Sequence, residues 1–70
     1  MPGEVRVSLN KHVDQVLKEE EKYEKQGFLV VGDYKSENDF GHIMEWANGE
    51  NRQDVLYRHY EYDYQSALLG

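Results

Sequence analysis

The sequence predicts an α+β fold: a single small domain with one helix packed on a four-stranded, mostly antiparallel sheet, in the order β-α-β-β-β. Three observations predict this class. Apolar and polar residues alternate near the start, apolar residues at helical spacing follow as far as Gly27, and strand-like segments separated by turn residues occupy positions 27–64. Seventy residues are enough for one domain. We expect it to span 1–70, with loose ends at 1–3 and 66–70.

The first strand and the helix are predicted from periodicity. Val5, Val7 and Leu9 alternate with polar residues, which indicates a half-buried strand of about five residues. The helix should run from about residue 10, where Asn10 can cap it, to about residue 26. Gly27 should end it, because glycine readily adopts the left-handed conformation. The apolar stripe of this helix is thin, so it can cover only one side of a sheet.

The remaining strands are predicted as a meander. Gly32 in the first of them suggests a bulge or a close approach of the backbone. Asn48-Gly49 is the dipeptide most typical of a two-residue hairpin. The predicted segments are strand two at 28–35, a turn at 36–39, strand three at 40–47 and strand four from about 53 to 64.

The predicted fourth strand is the most informative segment. Its side chains would alternate, so that both sides of the strand carry aromatic residues. One side would hold Leu56, Arg58, Tyr60, Tyr62 and Tyr64, and the other Val55, Tyr57, His59, Glu61 and Asp63. A single helix covers one face, so the second face should stay exposed for a partner. Alternatively the tyrosines form the core under the helix, and Phe40, Met44 and Trp46 are the uncovered set.

Composition excludes several classes of function. Fourteen acidic against eight basic residues give a net charge of −6, which opposes direct binding to nucleic acid. Cysteine is absent, so disulfides and thiolate metal sites are excluded, and oligomerisation remains as a way to stabilise a small core. No apolar run approaches the length of a signal segment or a membrane span. We therefore expect a cytoplasmic protein that binds neither nucleic acid nor membrane.

The negative charge is concentrated in one quarter of the chain. Residues 33–50 contain five acidic residues and a single base, Lys35. A basic partner would meet the chain at this stretch, whose candidate contacts are Glu37, Asp39, Glu45 and Glu50. The alternative is that acidic loops keep a small protein in solution.

No catalytic or metal-binding motif is found. On a strand, His59, Glu61 and Asp63 would point the same way, but consecutive positions on one side lie about 6.5–7 Å apart, too far for one ion. The serines have no nucleophile setting, and the glycines form no phosphate loop. His42 is interpreted as a half-buried sheet residue rather than a base. We expect no enzyme activity, no metal and no cofactor.

These observations favour a small acidic protein-binding module. A concrete form is an inhibitor of the kind that phages and mobile elements carry, whose carboxylates imitate phosphate and occupy a basic, nucleic-acid-binding surface of another protein. Tyrosine, tryptophan and arginine are typical of such contact surfaces. The candidate partner-binding residues are Glu37, Asp39, Glu45, Glu50, Trp46, Tyr57, Tyr60, Tyr62 and Tyr64. The alternative is a homodimeric structural or accessory domain that uses an aromatic sheet face for self-association.

Overall fold

A computed structural model describes residues 3–69 and confirms a small α+β domain. The sheet has three strands rather than the four expected, and the order is β-α-β-β-α rather than β-α-β-β-β. Its elements are β1 (Glu4–Ser8), α1 (Val13–Lys25), β2 (Phe28–Lys35), β3 (Phe40–Trp46) and α2 (Arg52–Leu69). The expected loose ends at positions 1, 2 and 70 lie outside the described residues.

The sheet is antiparallel, in the order β1-β3-β2. Val5 lies opposite Met44 in the β1–β3 pair, and Val30 lies opposite Met44 in the β2–β3 pair. The register of β2 shifts between Val30 and Gly32, which confirms the predicted bulge. The β2–β3 turn also lies where the sequence predicted it, at positions 36–39.

Helix α1 covers the side of the sheet that carries Val7 and Met44. It begins at Val13, three residues later than predicted, and no side chain caps its first turn. Its end agrees with the prediction, since Gly27 has a φ of 98° and the ring of Tyr23 contacts that of Phe28, with centroids 5.5 Å apart. The core cluster consists of Val7, Val16, Phe28 and Met44.

The predicted fourth strand and its Asn48-Gly49 hairpin are wrong, because this segment forms α2. Asn48 and Asn51 reorganise the loop: the Asn48 side-chain oxygen accepts hydrogen bonds from the backbone N–H of Glu50 and Asn51. Asn51 in turn accepts from the Asn48 N–H and donates to the Trp46 carbonyl. Asparagine in such a turn favours a helix start as readily as a hairpin.

This segment has a strand-like composition, but its charged residues are also spaced as in a helix. Asp54 pairs with Arg58 and His59 with Asp63, each four residues apart, as a helix requires. Tyrosine and valine favour strands only weakly, and tertiary packing overrides that preference. The helix continues through residues 66–69, so the expectation of a loose end there is corrected as well.

Gly41 in β3 is a second glycine that the fold requires. A Cβ at this position would lie 2.0 Å from the Val7 carbonyl oxygen and 2.8 Å from the Tyr34 ring. The central strand therefore admits no side chain there. Among the helices of residues 3–69, none is both long and apolar enough to cross a membrane.

Candidate functional site

Helix α2 packs along the outer edge of β2. The ring Nδ1–H of His59 donates to the Val30 carbonyl across 2.8 Å, which satisfies a backbone acceptor that β3 does not reach. Val55, one turn earlier, is fully buried. The inward side of α2 thus consists of residues at helical spacing that hold the helix against the strand.

Two further contacts fix α2 to opposite sides of the sheet. Arg58 makes a bidentate ion pair with Glu45, at 2.6 and 2.7 Å, and a second ion pair with Asp54. The Tyr62 hydroxyl donates to Asp33 across 2.7 Å. Since Glu45 and Asp33 project from opposite sides of the sheet, α2 straddles the edge instead of covering one face.

The side of α2 that points away from the sheet carries an apolar stripe, which we call the tyrosine face. Its members are Tyr57, Tyr60, Tyr64 and Leu68, whose spacing of three and four residues places them on one side of a helix. Their exposed fractions are 66%, 63%, 66% and 69%. These side chains are therefore not part of the core.

One side of α2 packs on the sheet, and the opposite side carries an exposed apolar stripe that a second contact could cover. The tyrosine face exposes roughly 500 Å² of largely aromatic surface. That area is near the upper end for the largest apolar patch of a monomer. With its polar margin, the face approaches the roughly 800 Å² that a protein partner covers.

The charged side chains next to the tyrosine face are acidic. Glu61 lies beside it and accepts a hydrogen bond from the Tyr57 hydroxyl at 3.4 Å, and Asp63 is exposed on the other side. The helix contains two basic residues that could neutralise them. Arg58 is engaged by Glu45, and Arg52 lines a groove toward the sheet with Leu29 and Leu56. The face is therefore aromatic at its centre and negative at its margin.

The four candidate acidic residues do not form one cluster. Glu37 lies in the β2–β3 turn and Glu50 in the loop before α2, at opposite ends of β3. Glu45 is bound by Arg58, which holds the pKa of its carboxyl below the usual value. These residues are consequently separate exposed or paired charges, rather than the continuous row that a phosphate mimic needs.

Asp39 has a structural position. Its carboxylate accepts hydrogen bonds from the Ser8 hydroxyl at 2.6 Å, the Tyr34 hydroxyl at 2.9 Å and the backbone N–H of Phe40. These donors lower the pKa of the Asp39 carboxyl, with the Ser8 bond contributing most. Asp39 therefore ties the β2–β3 turn to the end of β1.

Tyr62 and Trp46 lie apart from the tyrosine face. Burial, together with the hydrogen bond to Asp33, raises the pKa of the Tyr62 hydroxyl to about 12. Trp46 is 41% exposed at the end of β3, beside Gly27. Of the five aromatic candidates, the structure brings together Tyr57, Tyr60 and Tyr64, and it places the other two elsewhere.

One polar cluster joins all the layers of the fold. His42 on β3 donates from Nδ1 to Glu20 of α1 at 2.5 Å, and its Nε2 lies 3.9 Å from Asp33 of β2. The rings of His42 and Tyr62 meet edge to face. The sequence interpretation of His42 as a half-buried sheet residue agrees with this position, but its carboxylate partner on α1 was not foreseen.

The helix separates the three residues that were considered as metal ligands on a strand: His59, Glu61 and Asp63. His59 and Asp63 lie on one side, 3.3 Å apart, and Glu61 turns away toward Tyr57. Across residues 3–69 no group of three or more histidine, aspartate or glutamate side chains is placed to hold a metal ion.

Leu68 is the member of the tyrosine face that sequence reasoning missed as a site residue. Its spacing from Tyr57, Tyr60 and Tyr64 was the signal that could have found it, because the four share one side only on a helix. Comparison of the chain with family models, curated proteins and solved structures gave no match.

Proposed function

We propose that this chain is a small acidic protein-binding module that inserts the tyrosine face of α2 into an apolar groove on a basic protein. The observation that carries the proposal is the placement of Tyr57, Tyr60 and Tyr64, which are exposed on the side of α2 opposite to the one that packs on β2. An amphipathic helix laid in a groove is a common mode of protein recognition.

Charge complementarity supports a basic partner. The margin of the tyrosine face is acidic, Arg58 of the same helix is paired with Glu45, and the whole chain carries a net charge of −6. Tyrosine rings also bind arginine guanidinium groups through cation–π contacts. A groove bordered by arginine or lysine therefore fits both the centre and the margin of this face.

The finer form of the proposal is an inhibitor of the type that phages and mobile elements carry. A protein groove rich in arginine is commonly a nucleic-acid-binding surface. Occupation by α2 would place Glu61, Asp63 and Glu50 near the positions that phosphates otherwise take. We propose no catalytic step and no cofactor, and cytoplasmic location and the lack of direct nucleic-acid binding stay predictions.

Affinity capture from a lysate of the native host, followed by measurement on the purified partner, tests the proposal. Three baits are compared: the unmodified chain, a Tyr60→Ser/Tyr64→Ser variant and a Val13→Ser/Leu17→Ser control. The control removes an equally exposed apolar pair, 69% and 59% exposed, from α1. The retained protein should be basic, and Tyr60→Ser/Tyr64→Ser should raise its Kd at least about tenfold.

The purified pair then separates the coarse proposal from the fine one. Association should slow as salt rises, because charge steers the encounter. Random-sequence duplex DNA or RNA should displace this chain if the partner surface is one that binds nucleic acid. A Kd equal for the unmodified chain and the tyrosine variant would overturn the docking site. Failure of DNA and RNA to compete would overturn only the inhibitor form.

A homodimer remains the second candidate, and one observation favours assembly in general. The accessible surface is 5381 Å², whereas a monomer of this mass is expected to expose about 4,600 Å². The fourth strand that was expected to carry the aromatic sheet face does not form, because its tyrosines are on α2. A homodimer would therefore use a surface that does not depend on a fourth strand.

A further inference from the structure

The outer edge of β1 is a second unpartnered surface, distant from the tyrosine face. The two edges of the sheet are β1 and β2. The β2 edge is covered by α2, whose His59 caps the Val30 carbonyl. In residues 3–69 neither a strand nor a helix pairs with the outer edge of β1.

The backbone of β1 shows which groups are directed outward. The backbone N–H of Trp46 donates to the Gly3 carbonyl, and the backbone N–H of Leu9 donates to the Phe40 carbonyl. Hydrogen-bonded pairs alternate along an antiparallel ladder, so Val5 and Val7 also bond to β3. Glu4 and Arg6 therefore direct their N–H and C=O groups away from the sheet. An edge of this kind is a template for another strand.

We propose that β1 pairs antiparallel with β1 of a second copy of this chain, with Val5 facing Val5 and Glu4 facing Arg6 of the second copy. This register is self-complementary. The outward groups of Glu4 and Arg6 on each chain then exchange four backbone hydrogen bonds. The valines meet on the side of the sheet that α1 covers, because Val5 lies opposite Met44 in the core.

The side-chain charges of β1 favour this register over registers shifted along the strand. Glu4 and Arg6 share the other side of the sheet, where their side chains are 3.6 Å apart within one strand. In the proposed pair they alternate with those of the second copy, so each carboxylate lies between two guanidinium groups. A shift that centres the pair on Arg6 would instead place two arginines opposite each other, which is unfavourable.

The resulting assembly is a continuous six-stranded sheet. Its ends are the two β2 edges, each covered by its own α2, so both tyrosine faces stay free. The proposal therefore does not depend on the proposed function, and it would make the module bivalent. Residues 3–69 bury five apolar side chains, and pairing with a second sheet would stabilise such a small core.

Reversing the charges at positions 4 and 6 tests the register directly. The dimer Kd is measured by sedimentation equilibrium on the untagged chain at low salt. Arg6→Glu and Glu4→Arg should each raise the dimer Kd at least about tenfold, because like charges then face each other. An equimolar mixture of the two variants should form a heterodimer, since every facing pair is again of opposite charge. The double variant Glu4→Arg/Arg6→Glu should also dimerise as the unmodified chain does.

Two controls carry the same changes of net charge at sites away from β1. Lys25→Glu matches Arg6→Glu, and Glu24→Arg matches Glu4→Arg; both positions are exposed on α1. Both controls should dimerise like the unmodified chain, and circular dichroism should confirm that every variant is folded. Persistence of the unmodified chain as a monomer at about 1 mM, the weak limit of a specific Kd, would overturn the proposal.

Amide hydrogen exchange supplies a second readout. The amides of Glu4 and Arg6 should become protected as the protein concentration rises, whereas those of Val5 and Val7 are already bonded to β3 and should change little. A dimer with unchanged Glu4 and Arg6 exchange uses a different surface and contradicts the inference. So does a mixture of the two charge variants that stays monomeric.

Discussion

Asp39 and Gly27 show what single residues contribute at the two ends of the sheet. Asp39 accepts three hydrogen bonds, from Ser8 of β1, from Tyr34 of β2 and from the Phe40 backbone N–H, and the first of them joins the β2–β3 turn to β1. Gly27 has a φ of 98° and lets α1 turn directly into β2. Each residue is needed for a connection between elements rather than for burial.

Gly27→Val should destabilise the fold by about 2 kcal/mol or more, because a left-handed conformation is unfavourable for residues with a Cβ and worse for branched ones. A Cβ at this position would also lie 3.4 Å from the Trp46 ring. Gly49→Val is the matched control, since open space surrounds its Cβ and its φ is not positive. Urea unfolding should show a loss under about 0.5 kcal/mol for the control. Equal losses of unfolding free energy for Gly27→Val and Gly49→Val would contradict a left-handed conformation at Gly27.

Asp39 should make the fold sensitive to acid. Its pKa is lowered in the folded chain, so the stabilisation is present above the pKa of the unfolded state and is lost as the pH falls through the folded value. The free energy of unfolding, measured in urea between about pH 7 and pH 2, should therefore fall toward acid.

The Asp39→Asn variant isolates that contribution. It should be less stable than the unmodified chain at pH 7, and the difference should shrink as the pH falls. Glu37→Gln removes one negative charge from the same turn without touching the Asp39 hydrogen bonds, so it reports the effect of net charge alone. A pH-independent gap between Asp39→Asn and the unmodified chain would be inconsistent with this account.

At the scale of elements, α2 has two sides in different environments. Val55, His59 and Tyr62 face β2 and hold the helix in place, and the tyrosine face points outward. The contacts with the sheet and the exposed aromatic surface therefore belong to different residues of one helix. Substitutions on the two sides should have different effects on unfolding.

Val55→Ala should lower the free energy of unfolding by about 2 kcal/mol, because two buried methyl groups are lost and a cavity remains. Tyr57→Ala, two residues further on but 66% exposed, should cost under about 0.5 kcal/mol. Thermal and urea unfolding of both variants check the prediction. A larger loss for Tyr57→Ala would mean that the tyrosine face packs within the chain.

At the scale of the whole molecule, the core is small. Five apolar side chains are buried among the described residues, and disulfides are excluded by the absence of cysteine. The two edges of the sheet differ: α2 covers the β2 edge, whereas no element among residues 3–69 pairs with the β1 edge. Both of our proposals place a partner where the single chain leaves apolar or backbone groups uncovered.

Folding should need no metal. The expected result is that melting curves recorded with and without a chelator coincide, since no three histidine, aspartate or glutamate side chains of residues 3–69 are placed to hold one metal ion. A shift of several degrees on chelation would indicate a ligand that stabilises the native state. The His59 and Asp63 pair would then be the first place to search.

The sequence by itself determined the β1, α1, β2 and β3 segments, because alternation, the Gly27 end signal and the turn at 36–39 are local properties of the chain. It also determined the net charge and the concentration of tyrosine near the end. Only the tertiary structure decided that residues 52–69 are helical, since tyrosine-rich segments suit a strand or a helix and the contacts of Val55, His59 and Arg58 with the sheet select the helix. That choice separated Tyr62 from Tyr57, Tyr60 and Tyr64, and it paired Glu45 with Arg58. The candidate binding face follows from helical geometry: the spacing of three and four residues that marks it is present in the sequence together with a strand-like composition, and only the packing of α2 on the sheet selected the helix.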